Sequence, residues 1–135
     1  HLFEYNNEST TLAISHALQH MNGLQSLKLA ATNLPNAVLS GIFEGLKRNA
    51  TLLSLDVSEN LDIGLALANG LIQNLSHLKG LQILLVHSTG LSGVLDQSPE
   101  RMASLASAIA KNTSLWKLDH IILHHVEQYE SEEER

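Results

Sequence analysis

Leucine and valine recur along the chain as L-x-x-L-x-(L/V). Leu24, Leu27 and Leu29 form one copy, Leu52, Leu55 and Val57 a second, and Leu81, Leu84 and Val86 a third. A fourth begins with Leu115 and Leu118, with His120 in the third slot. The last two apolar positions of each copy alternate with a polar or outward one, so each copy predicts a short strand with one apolar face. The first leucines stand 28, 29 and 34 residues apart.

A second period lies between these strands. Six and ten residues before each first leucine there is a large aliphatic side chain: Leu18 and Ile14, Leu46 and Ile42, Leu75 and Leu71, Ile109 and Leu105. In the later units the stripe fills out to i, i+3, i+4, i+7. The sets are Leu39, Ile42, Phe43 and Leu46; Ala68, Leu71, Ile72 and Leu75; Met102, Leu105, Ala106 and Ile109. That spacing predicts one helix per unit with a single apolar face. Ser98, Pro99 and Glu100 supply a cap, a first-turn proline and an acid at the positive end of the fourth helix. The unit is thus strand, turn, helix, return. No unit can bury its apolar side alone. Stacking builds one core between a parallel sheet and a helical layer.

The 28- and 29-residue spacings, the L-x-x-L-x-L/V copies and the junctions NATL (49–52) and NTSL (112–115) resemble the ribonuclease-inhibitor-like leucine-rich repeats, over about residues 10–119. The resemblance implies an α/β fold: a right-handed leucine-rich-repeat solenoid of about four repeats, with the parallel sheet on the concave face and helices on the convex face. Residues 1–126 read as the repeat domain, a small member or a fragment of a longer solenoid, and 127–135 as an acidic tail. Asn49 and Asn112 are expected where a helix turns back into a strand. The ninth position of the unit, often Asn in this family, is Thr32, Asn60 and Thr89 here. Asn can bond the backbone at the bend, and Thr can do so only in part. The 34-residue spacing puts its extra residues in 92–100, expected as a protruding loop, with Gly90 and Gly93 allowing a tight turn after the strand. HLFEY (1–5) reads as the remnant of an earlier strand. Residues 119–129 fit either a strand-like cap or a terminal helix.

Composition narrows the function. The 135 residues are 44% hydrophobic and 4% aromatic, which suits one domain with an aliphatic core. Eight bases against fourteen acids give a net charge of −6, which argues against a nucleic-acid or membrane surface. Five of the acids fall in the last nine residues, EQYESEEER, so residues 1–126 hold nine acids and seven bases. The absence of cysteine excludes disulfides and thiolate chemistry, and with no signal-peptide pattern it points to a cytoplasmic protein.

Nothing points to catalysis. The chain has no G-x-S-x-G, P-loop or H-E-x-x-H pattern, and HSTGLSG (87–93) lacks dinucleotide-loop spacing. No enzyme activity, cofactor or metal is expected. His16 and His20 stand at i, i+4, as do His120 and His124 if that segment is helical, but no third ligand is identifiable. The sequons at Asn7, Asn49, Asn74 and Asn112 would matter in a secreted protein; Asn49 and Asn112 are better read as repeat junctions.

The residues between the leucines are expected to face outward from the sheet. The first unit offers Gln25, Ser26 and Lys28, all polar, and the fourth offers Trp116, Lys117 and Asp119. The expected partner-binding set is Leu53, Ser54, Asp56, Gln82, Ile83, Leu85, Trp116 and Lys117, with another protein as partner. The competing reading has Trp116 and Ile83 covered by the chain's own C-terminal segment or by further repeats. Three other families of similar build give alternatives. One is the regulatory, ligand-sensing arm of innate sensors with a nucleotide-binding domain. The others are Ran GTPase-activating proteins and the actin-capping tropomodulin-like domains with their N-x-T-L junctions.

Overall fold

The computed structural model describes residues 7–119 and 121–123. Its elements in order are α1 (Asn7–Gln19), β1 (Ser26–Lys28), α2 (Asn36–Leu46), β2 (Ser54–Asp56), α3 (Gly64–Asn74), β3 (Ile83–Leu85), α4 (Leu91–Asp96), α5 (Pro99–Lys111), β4 (Lys117–Leu118) and β5 (Ile121–Ile122). One turn of 3-10 helix, Leu75–His77, prolongs α3. Strands β1 to β4 pair in parallel and in chain order. Leu27, Leu55, Leu84 and Leu118 form one row across them. Each strand is only two or three residues long, because only that much of the unit alternates before the chain bends.

The repeated leucines carry the core. Leu52, Leu55, Val57, Leu81, Leu84, Val86 and Leu115 are buried against Leu39, Ile42, Phe43, Leu46, Leu67, Leu71 and Leu75 from the helices. Leu24, Leu27 and Leu29 of the first unit are only half-buried, since β1 pairs on one side alone among the described residues.

Three asparagines stitch neighbouring units together. Asn49 Nδ2 donates to the carbonyls of Leu18 and Met21 at the end of the first helical segment. Its Oδ1 accepts from the N–H groups of Thr51 and Leu52. Asn112 repeats this one seam further on, donating to Leu75 and Leu78 and accepting from Ser114 and Leu115. At the opposite ends of the strands, Asn60 accepts from Thr32 N and Leu34 N and donates to Leu29 O and Val57 O. Thr32 and Thr89, at the same position of their units, each donate only to a carbonyl of their own unit, Leu29 or Val86. Asn49, Asn74 and Asn112 are buried and hydrogen-bonded, which leaves these three sequons no room for a glycan in the folded chain.

Several expectations are corrected. Residues 92–100 do not protrude as a loop: Leu91 and Leu95, one helical turn apart, are buried, and α4 packs on α3 and α5. Gly90 does turn the chain, with φ at +83°, but Gly93 lies inside α4. With α4 packed beside it, α5 turns Leu105 and Ala108 inward, while Met102 is 45% exposed and Ala106 is exposed. The cap of α5 is as expected, Arg101 N donating to Ser98 Oγ with Pro99 in the first turn. Residues 121 and 122 form a strand, β5, antiparallel to β4, and not a helix. The expectations for HLFEY, for 124–129 and for the tail at 127–135 fall outside the described residues.

Candidate functional site: the outer face of the sheet

All eight expected partner-binding residues lie outside the core. Backbone hydrogen bonds align the strand starts: Leu53 N donates to Gln25 O, Gln82 N to Leu53 O, and Trp116 N to Gln82 O, at 2.8 to 2.9 Å. Leu53 and Trp116 therefore lie on one row with Gln82 between them. The next row out holds Ser54, Ile83 and Lys117 in register, and the third pairs Asp56 with Leu85. Leu53, Ile83 and Leu85 are half-buried, and Trp116 is 43% exposed. The structure thus brings one aromatic and three aliphatic side chains onto adjoining positions of strands β2 to β4.

Two acids on this face are occupied by the fold. Asp56 Oδ1 accepts from both the N–H and the hydroxyl of Ser58, the latter at 2.6 Å, and so shapes the bend after β2. Asp119, expected to point outward, turns back onto the third unit, where its Oδ1 accepts from Val86 N and His87 N. Its φ of +53° makes that return possible. Asp56 stays half-buried on this face, with one of its oxygens engaged by Ser58.

The C-terminal strand covers the sheet edge and leaves the tryptophan open. Leu123 N donates to Trp116 O at 2.8 Å, and Leu123 packs against the core. Trp116 keeps its exposure beside that contact.

Sequence reasoning missed other exposed apolar residues. Leu61 is 74% exposed and Leu65 follows one turn later in α3. Leu12 of α1 is 70% exposed and lines a shallow groove with Glu8, Thr11, Asn36 and Ser40. Leu12 falls off the Ile14–Leu18 stripe, which was the available signal. Leu61 carried none, because it lies in a turn.

The paired histidines of α1 do not make a metal site. The rings of His16 and His20 meet edge to face, 4.5 Å apart, and both are exposed. Among the described residues no group of three potential ligands converges, and no helix is long and apolar enough to cross a membrane.

Comparisons with known proteins give a fold. No family model and no curated protein sequence matches the chain. Leiomodin-1 actin-binding site 2 superposes with a TM-score of 0.66 at 22% identity, covering 86% of this chain and 65% of that one. The chain therefore spans less than two thirds of that neighbour's length. The C-terminal domain of tropomodulin from Caenorhabditis elegans superposes with a TM-score of 0.52 at 13% identity, covering 92% of this chain and 89% of that one. What the chain shares with both is an α/β fold of leucine-rich-repeat type; in this chain helices pack on a sheet whose first four strands are parallel.

Proposed function

We propose that this chain is a protein-binding module, a right-handed leucine-rich-repeat solenoid of the ribonuclease-inhibitor-like class, and that its partner is actin. The carrying observation is the set of apolar residues on the outer face of the sheet, with Leu53, Ile83 and Leu85 half-buried on or beside β2 and β3 and Trp116 exposed just before β4. An exposed tryptophan on a face with other apolar residues is a frequent anchor of a protein interface. The names of the two structural neighbours favour actin, since one is an actin-binding site and the other belongs to tropomodulin. In this reading the module is not an enzyme and works in the cytoplasm without cofactor, nucleic acid or membrane.

The test is co-sedimentation with actin filaments, comparing wild type with Trp116→Ala. Wild type should pellet with the filaments, and the variant should bind at least about tenfold more weakly. The same variant should change unfolding free energy by less than about 1 kcal/mol, as an exposed position allows. Wild type left in the supernatant would refute the actin reading. Undiminished binding by the variant would refute the placement of the site.

A further inference from the structure

Most charges are sorted by the end of the strands at which they sit, with Lys28 and Arg101 against the trend. Asp56, Glu59, Asp62, Glu100 and Asp119 lie where strands end or helices begin. Lys47, Arg48, Lys79 and Lys111 lie where helices end and strands begin. Helix macrodipoles favour that order. They do not account for the gathering of bases around one opening. Between the second and third units an open groove of about 500 Å³ is lined by Lys47, Arg48, His77 and Lys79 around Asn49 and Ala50. No acid lines it; Glu44 reaches Lys47 from α2, at 3.2 Å.

The groove exists because this seam is built differently. At the seams on either side Asn49 with Thr51, and Asn112 with Ser114, reach back to carbonyls of the preceding unit. The third unit has Leu78 and Gly80 at those two positions. A Cβ at Gly80 would come within 2.7 Å of the Ala50 carbonyl oxygen, so the units meet there by backbone alone. No side-chain bridge fills the rim above that contact.

The chain returns to this same rim. Trp116 stands just before β4 beside Gln82, at the basic end of the strands, and the chain runs back through the antiparallel β5 until Leu123 N bonds Trp116 O. Residues 124–126 follow, and then EQYESEEER, with five acids and one base. Strands about 4.8 Å apart put the groove roughly 10–15 Å from Leu123, and twelve extended residues span about 40 Å.

We propose that the acidic run of residues 127–135 docks in this groove, its carboxylates against Lys47, Arg48 and Lys79. The contact is a surface one, weak per pair and sensitive to salt. It occupies the rim and not the sheet face, so it stands whether or not the actin reading does.

Lysine acylation followed by mass spectrometry tests it on the full chain. Wild type is compared with a variant carrying Glu130→Gln, Glu132→Gln, Glu133→Gln and Glu134→Gln together, with Lys28 at the opposite strand ends as internal reference. At low salt Lys47 and Lys79 should react about threefold or more slowly in wild type, and near 1 M salt the difference should vanish. The protection should not depend on protein concentration. Equal rates in the two proteins would overturn the proposal. Protection that grows with concentration would overturn it too, by placing the run of one copy on another. So would an absence of self-protection together with protection by free EQYESEEER peptide, because the groove would then serve a segment of a different molecule.

Discussion

Asn112 Nδ2 donates to the carbonyl of Leu75 from 2.6 Å, across 37 residues of sequence. The same amide also donates to Leu78 O, and its oxygen accepts two N–H groups of its own unit. A buried side chain that both donates and accepts cannot be replaced by one that only accepts. Asn112→Asp would set a carboxylate against two carbonyls and is expected to lower unfolding free energy by about 3 kcal/mol or more. Urea denaturation measures this, and a loss under about 1 kcal/mol would mean that the bridge does not hold the seam.

Position along the array should grade the cost of losing a leucine. Leu55 is 0% exposed in the second unit, whereas Leu27, its partner in register, is half-buried at the β1 edge. Leu55→Ala should cost about 3–5 kcal/mol, and Leu27→Ala about 1–2. Leu55→Asp should leave the chain unfolded by circular dichroism, since it would bury a charge without a partner. Equal costs for the two alanine variants would contradict the graded core.

A single methyl group at Gly70 should be felt. Its Cβ would lie 2.5 Å from the ring of Phe43, which is itself buried. Gly70→Ala is therefore expected to destabilise by about 1–3 kcal/mol despite the better helix propensity of alanine. Combining it with Phe43→Leu should cost less than the sum of the two single changes, because the shorter side chain vacates the clash. Gly23→Ala, with nothing within 4 Å, should be close to neutral. Strict additivity of the Gly70 and Phe43 changes would rule out the contact as the cause.

Each of the first three units places a left-handed residue three positions after its strand: Ala31, Glu59 and Ser88, with φ between +55° and +57°. None is glycine, so the bend is held against a local cost of about 1–2 kcal/mol. Ser88 is exposed, which separates backbone from packing effects. Ser88→Val should lose about 1–2 kcal/mol, and Ser88→Gly should lose nothing. Thermal melts of the pair decide it; a valine variant as stable as the glycine variant would show that the bend relaxes.

The period of the leucines made the fold legible, because burial in a stack of units repeats with the units. Leu52, Leu55 and Val57 went where their spacing placed them, and so did Asn49 and Asn112. The failures came where the period lapsed. Residues 92–100 read as a loop because the helix there, Leu91–Asp96, is too short to show a full helical stripe, although Leu91 and Leu95 stand at i, i+4. The stripe that points Met102 inward is matched in the same segment by one through Leu105 and Ala108. Only the packing of α4 against α5 chooses between those faces. The sheet-face residues were legible as outward by alternation. That Asp119 turns back to bond Val86 N and His87 N was not, because it depends on a positive φ at a non-glycine residue.

The antiparallel β5 makes the molecule's two ends unequal. Along β4 the backbone donors and acceptors are already taken by a strand running the other way, while β1 pairs only with β2 among the described residues. Among the described strands a further unit could continue the parallel order only beside β1, because the other edge, β5, runs antiparallel. The parallel order of the described sheet thus ends at Ile121 and Ile122, whereas at Ser26–Lys28 it remains continuable.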